Sequence, residues 1–164
     1  MSEDGQDLLL EHMTWNQAQA ARDQGRVLII PVGAIEQHGP HLPLGADAIV
    51  AFELARRVAR RQGAIVAPAM YYAARSSPRS GGGGRGFPGS TGVTGQTLIS
   101  VIRDVTGEFF RTGFRRIAYL NGHYENSSLA YEALTEATEP APQAGKAILV
   151  NWCCLLYTSD AADE

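Results

Sequence analysis

Apolar residues in this chain fall into two alternating kinds of stretch. Short continuous runs rich in β-branched residues occur at "VLIIPVG" (Val27–Gly33), "AIVAP" (Ala64–Pro68), "RRIAYLNGH" (Arg115–His123) and "KAILVNW" (Lys146–Trp152). Runs of this kind mark strands covered on both faces. Between them, polar and apolar positions recur at helical intervals. "TWNQAQAARDQG" opens at Thr14 and stops at Gly25. "AIVAFELARRVARRQG" ends at Gly63, with Val50, Leu54 and Val58 along one face, Asp47 as its expected N-cap, and arginines toward its C-terminal end, where the helix dipole favours them. "QTLISVIRDVTGEFFRTG" ends at Gly113, and "ENSSLAYEALTEAT" opens at Glu125. A long Gly-, Ser- and Pro-rich stretch, Tyr71 to Gly95, has no period. Strands alternating with helices predict a doubly wound α/β fold with a mostly parallel sheet, and no internal repeat competes with that reading.

In such a sheet, ligands gather at the carboxyl ends of strands. The first strand runs into "PVGAIEQHGPHLPLGADA", carrying Glu36, His38, His41 and Asp47, and the third into "AYLNGHYEN", carrying His123 and Glu125. Glu36 with His38, and His123 with Glu125, are spaced i and i+2, which in extended backbone turns both side chains of a pair to the same side. Glu36, His38, Asp47, His123 and Glu125, five carboxylates and imidazoles, would repel on converging unless neutralised. Divalent cations do this, and mixed His/Asp/Glu ligation suits zinc or manganese. An Asp able to bridge, with a Glu and a His for each ion, suggests a two-metal centre, which would lower the pKa of a bridging water and polarise a carbonyl, the chemistry of amide hydrolysis. By spacing alone the same residues fit caps, turn formers or solvated loop groups equally well. Asn121 and Asn126 flank the second cluster, placed to orient ligands or to cap the next helix, and His12 is expected in solvent.

Composition adds few constraints. At 164 residues, 45% hydrophobic and 19% charged, the chain has the size and make-up of one globular domain. A net charge of -3 with scattered basic residues carries no nucleic-acid signature, and no apolar stretch is long enough to span a bilayer. The acidic N-terminus lacks the basic region of a secretory signal, and Cys153 and Cys154 are adjacent, so a cytoplasmic location is expected. The glycines Gly81, Gly83 and Gly86 formally match a nucleotide-loop pattern, but Phe87 and Pro88 follow where a helix should open, which leaves a nucleotide-binding module a distant reading. The end, "CLLYTSDAADE" (154–164), looks like one reading frame of a sequencing-library adapter, in which case a native Trp could stand at Cys153; a genuine polar tail is the alternative.

"VGAIEQHGPHLPLGADA", "SGGGGRGFPGSTGVTGQTL" and "LNGHYENS" resemble the creatininase (creatinine amidohydrolase) family, in order and spacing, and the resemblance runs from about Met13 to Trp152. It implies a three-layer α/β/α sandwich, a homohexameric assembly, and two Zn or Mn ions: Glu36 and His123 on one, His38 and Glu125 on the other, Asp47 bridging. The implied activity is the interconversion of creatinine and creatine through a metal-bridging hydroxide, with His123 and Glu125 at the reacting group, Ser80 and Tyr124 at the substrate, and Trp152 matching a family tryptophan near the site, although core packing is the assignment expected for it. His41 matches no family ligand. Residues 1–153 would then be the N-terminal portion of one creatininase-type domain. The family's later segment, with a flap tryptophan and an "EHGG"-like motif, has no counterpart here, so this polypeptide is expected to turn over weakly or not at all. Hydrolysis of another small amide (a formamide or a peptide-like precursor) and a non-catalytic metal-binding fragment are the alternatives.

Overall fold

The computed structural model describes residues 8–76 and 84–152. Ser80, the glycines before Gly84, and the 154–164 segment lie outside them. Four helices and four strands alternate as the hydrophobic pattern predicts: α1 (Trp15–Asp23), β1 (Leu28–Val32), α2 (Ala46–Gln62), β2 (Ile65–Val66), α3 (Gly95–Arg111), β3 (Arg116–Asn121), α4 (Asn126–Thr138) and β4 (Lys146–Asn151). The strands form one wholly parallel sheet in the order β2-β1-β3-β4. β1 is therefore central, and it is buried at every position.

Alternate residues of β1 and β3 serve opposite faces, as strand geometry requires. Leu28, Ile30, Val32, Ile117 and Tyr119 pack with Leu98 and Ile102 of α3 and Ala130 and Leu134 of α4. Ile29 and Leu120 pack on the other side with Ala55 and Ala59 of α2. Helices thus cover both faces of the sheet, giving the three layers expected. Tyr119 is the largest fully buried side chain; its hydroxyl meets Thr106 Oγ1 at 3.0 Å, and Thr106 donates in turn to the Ile102 carbonyl at 2.7 Å. Burial pushes the Tyr119 phenol up to about 12, with Thr106 opposing only weakly. Because Thr106 keeps its second partner, Tyr119→Phe is expected to cost about 1 kcal/mol in urea unfolding. A loss above roughly 3 kcal/mol would mean that the hydroxyl anchors more than this pair.

Two expectations about α2 need correction. Its sheet-facing stripe is Ala48, Ala51, Ala55 and Ala59, whereas Val50 and Val58 are 48% and 39% exposed and Leu54 is half-buried. The helix lies too close to the sheet for branched side chains, so small residues take the contact. Its N-cap is Gly45, and Asp47 sits one residue inside the first turn with its side chain turned away from cap duty. Trp152, expected in the core, is 57% exposed just past the edge strand β4, and its backbone N–H donates to the carbonyl of Asn121 in the neighbouring β3 at 2.8 Å.

Candidate metal centre

The close seating of α2 also builds the site. Gly33 follows β1 and Gly122 follows β3. A Cβ on Gly33 would lie 2.2 Å from the Ala48 backbone nitrogen, and one on Gly122 would lie 2.6 Å from the Asp47 carbonyl oxygen. Side-chain-free backbone at both strand ends lets the first turn of α2 rest between them. Asp47 is thereby delivered to the gap between the β1 and β3 loops, at a helix N-terminus that favours its charge.

Glu36 and His38 come from the β1 loop. Backbone bonds from Glu36 N to the Leu44 carbonyl (2.9 Å) and from Thr91 N to the Ile35 carbonyl (2.9 Å) hold that loop on two sides. The ring of His38 is oriented by its own loop, with Nδ1 3.2 Å from the Glu36 carbonyl oxygen. A carbonyl only accepts, so Nδ1 carries a proton, and Nε2 faces Asp47 Oδ1 at 3.0 Å and Glu36 Oε1 at 3.8 Å, where a neutral ring would present a lone pair. Two lone pairs facing one another repel unless a proton or a cation lies between them.

His123 arrives on the turn after β3. Asn121 clamps that turn from both sides: its Oδ1 accepts from His123 N at 3.1 Å, and its Nδ2 donates to the His123 carbonyl at 2.8 Å. Asn126 then donates to Asn121 Oδ1 (3.0 Å) and to the Gly33 carbonyl (2.9 Å), and its Oδ1 accepts from Ala74 N (2.9 Å). Both amides are fully buried. One side chain therefore ties the β1 exit, the β3 exit and the segment after β2 into a single frame. Of the two roles expected for these asparagines, orientation is the one seen; neither caps α4, whose N-cap is Glu125.

The buried His123 ring lies among three carboxylates. Nδ1 is 2.9 Å from Asp47 Oδ2 and 3.4 Å from Glu36 Oε1; Nε2 is 3.2 Å from Glu125 Oε2 but makes no hydrogen bond of acceptable geometry. Glu36, Asp47 and His123 offer ligand atoms that all lie within 4.8 Å of one another, an arrangement able to hold a metal ion. His38 and Glu125 flank this group through the contacts given above. The residues fit a divalent cation on two grounds: an imidazole lone pair aimed at a carboxylate, and a buried ring nitrogen with no well-formed hydrogen bond. The route to convergence differs in one respect from the i, i+2 argument. His123 and Glu125 stand in a turn entering α4, so the turn, and not strand alternation, brings them together. Tyr124 between them is 72% exposed, and His41 and His12 are exposed. Spacing gave no hint of Ser76, whose hydroxyl donates to Glu36 Oε2.

Burial opposes protonation of His123, but the hydrogen bonds and charges of Asp47 and Glu36 outweigh it and raise the ring from 6.5 to about 9. A folded-state pKa above the unfolded value adds stability in full below about pH 6.5, and this contribution fades as pH rises through about 9. The metal-free protein is expected to lose on the order of 2 kcal/mol across that window, at about 1.4 kcal/mol per unit before relaxation. Urea unfolding with a chelator present, from pH 6 to 9.5, measures this; a flat profile would show that the carboxylates around the ring do not strengthen its hold on a proton.

A model of the creatininase family, described as creatinine amidohydrolase, matches residues 11–163. The chain is 40% identical over 134 residues to a creatinine amidohydrolase of Pseudomonas putida, covering 81% of this chain and 51% of that one. It is 34% identical over 111 residues to a 3-dehydro-scyllo-inosose hydrolase of Thermotoga maritima, covering 68% of this chain and 34% of that one. Among solved structures, a mutant creatininase of Zn-Zn type superposes with a TM-score of 0.82 at 36% identity, over 87% of this chain and 57% of that one. A manganese creatininase also gives 0.82 at 36%, over 88% and 58%. The chain spans about half the length of the first of these relatives and less of the second.

Proposed function

Because this chain belongs to the creatininase family, we propose that the protein is a metal-dependent amidohydrolase interconverting creatinine and creatine, with two Zn or Mn ions held by Glu36, His38, Asp47, His123 and Glu125. The observation that carries the reading is the convergence of Glu36, Asp47 and His123 at one point where α2 meets the ends of β1 and β3. A divalent ion bound there would polarise the amide carbonyl and make water nucleophilic at neutral pH. The chain's own residues supply the rest. Asp47 faces both histidines and so couples the two loops; Ser76 fixes one oxygen of Glu36; Asn121 sets the azimuth of His123. Glu125, beside His123 Nε2, is placed to hold a proton for the leaving nitrogen. Ser80 and Tyr124 as substrate contacts, the homohexamer and a cytoplasmic location belong to the same proposal. Among the described residues no helix is long and apolar enough to cross a membrane.

The test is metal content after dialysis against zinc or manganese, followed by creatine formation from creatinine. Absence of both metals from folded protein would defeat the proposal. The Thermotoga maritima relative favours one competing reading, hydrolysis of a different small ring or amide. Metal retention with turnover of a formamide or cyclic ketone, but not of creatinine, would select that competitor.

A further inference from the structure

Ser76 is a buried group that reaches the cluster from outside the two ligand-bearing loops and α2. The segment leading to it, after β2, is held firmly. Ala74 N donates to Asn126 Oδ1 at 2.9 Å, Val93 N donates to the Ala73 carbonyl at 2.8 Å, and Ala74 pairs with Val93 in a parallel bridge. Ala73 and Ala74 are themselves buried. The Ser76 hydroxyl is thus presented by anchored backbone, two residues beyond a bond to the same Asn126 amide that positions Asn121, and through it His123.

The two oxygens of Glu36 have different surroundings. Both histidines meet the carboxylate through Oε1, His123 Nδ1 at 3.4 Å and His38 Nε2 at 3.8 Å. Oε2 accepts from Ser76 Oγ instead. A short 3-10 turn, Gly84–Gly86, closes over that side: a Cβ on Gly84 would stand 3.1 Å from Ser76 Oγ, 3.1 Å from Glu36 Cβ and 3.2 Å from Glu36 Oε2. The backbone beside the carboxylate is fixed as well, with Gln37 N donating to Ser90 Oγ at 3.1 Å. A carboxylate oxygen engaged by a hydroxyl and roofed by backbone is withdrawn from a cation, which leaves Oε1 as the oxygen on offer. Asp47 is built differently and turns one oxygen to each imidazole.

We propose that Ser76 is a positioning residue that keeps Glu36 a one-oxygen ligand. This rests on the metal-centre reading given under the proposed function, and Ser76 acts through Glu36, touching neither the reacting group nor a cation. Its first consequence is a low coordination number. A second Glu36 oxygen would take up a position that a catalytic ion keeps open for water. Its second consequence concerns which ion is held. Zinc is satisfied by four ligands, whereas manganese suits oxygen-rich, octahedral surroundings and gains more from an added carboxylate oxygen. Ser76 therefore favours zinc relative to manganese without excluding either.

The experiment titrates the full chain, wild type and Ser76→Ala, with zinc alone and with manganese alone in a calorimeter. The variant is expected to bind zinc about tenfold more weakly, the usual scale for losing a partner of a ligand, while manganese binding changes little. The preference for zinc over manganese then falls about tenfold. A second readout is the visible absorption of cobalt-loaded protein, which weakens as cobalt gains ligands and is expected to weaken in the variant. Ser76→Cys fills a similar volume with a poor donor and is expected to behave like the alanine variant; it carries the test should that variant not fold. An equal loss of both metals, which a merely structural role would produce, would overturn the inference, as would an unaltered cobalt spectrum. If the wild type holds metal and both variants keep its preference, Ser76 loses this role and the amidohydrolase reading stands. If the folded wild type holds neither metal, that reading fails and the inference fails with it.

Discussion

Gly33→Ala is expected to destabilise the fold severely, although it adds a single methyl group. That methyl would fall 2.2 Å from the Ala48 nitrogen, 2.4 Å from its Cα and 2.7 Å from its Cβ. The two shortest of these are to backbone atoms in the first turn of a 17-residue helix, and the Cβ is fixed to that backbone, so no side-chain tip can swing aside. Relief requires α2 to lift off the sheet, and lifting it uncovers the alanine stripe packed on Ile29 and Leu120 and withdraws Asp47 from both histidines. Ordinary overpacking costs about 1 to 3 kcal/mol; with backbone as the obstacle, a loss above about 4 kcal/mol is expected, a large part of a typical domain's stability. Gly107→Ala is the control. It lies inside α3 with nothing within 4 Å of the added carbon, and should stabilise by about 0.5 to 1 kcal/mol. Thermal and urea unfolding of the two variants decide the matter: comparable stability in both would show that α2 is not seated by Gly33.

The contrast between these glycines shows where the sequence is readable and where it is not. Element type and order follow from periodicity, and the stops at Gly25, Gly63 and Gly113 coincide with positive φ angles of 66°, 64° and 95°. Periodicity weights side chains by how apolar they are, however, and so favours Val50, Leu54 and Val58 over four alanines. What decides the buried face of α2 is the distance to the sheet, and that distance is set by Gly33 and Gly122, far away in sequence. The residues of the candidate metal centre are legible because carboxylates and imidazoles recur together after two separate apolar runs. Their mutual geometry is not, since Asp47 reaches His123 across 76 positions only after α2 docks. Asn126 is the intermediate case. Its position beside the cluster hints at a role, but nothing local reveals that its amide reaches Gly33, Asn121 and Ala74 together. Ser76 and its bond to Glu36 are invisible to spacing, because they depend on how the Gly-rich segment folds back over Glu36.

Asp47→Asn is expected to abolish stabilisation by zinc or manganese while leaving the fold in place. The carboxylate makes the shortest contacts to both histidines, Oδ1 at 3.0 Å from His38 and Oδ2 at 2.9 Å from His123, whereas Glu36 reaches the same rings through a single oxygen at 3.8 and 3.4 Å. An ion that binds only the folded chain stabilises it by about 2.7 kcal/mol when present at a hundred times its dissociation constant. In a domain of this size that corresponds to a rise of roughly 5 to 10 °C in the unfolding midpoint. The asparagine keeps the shape and one acceptor oxygen but removes the charge, so the second histidine meets an amide N–H₂ and the charge available to a cation falls by one. A weakening of metal affinity by about a hundredfold or more follows, cutting the metal-induced rise to within a degree or so. Without metal the two proteins should differ by much less, since the asparagine can still accept from one ring. Differential scanning calorimetry of both proteins, with and without each metal, separates the outcomes. If the metal-induced shift survives in Asp47→Asn, the ion is held elsewhere, and the meeting of β1, β3 and α2 loses its claim to be the catalytic centre.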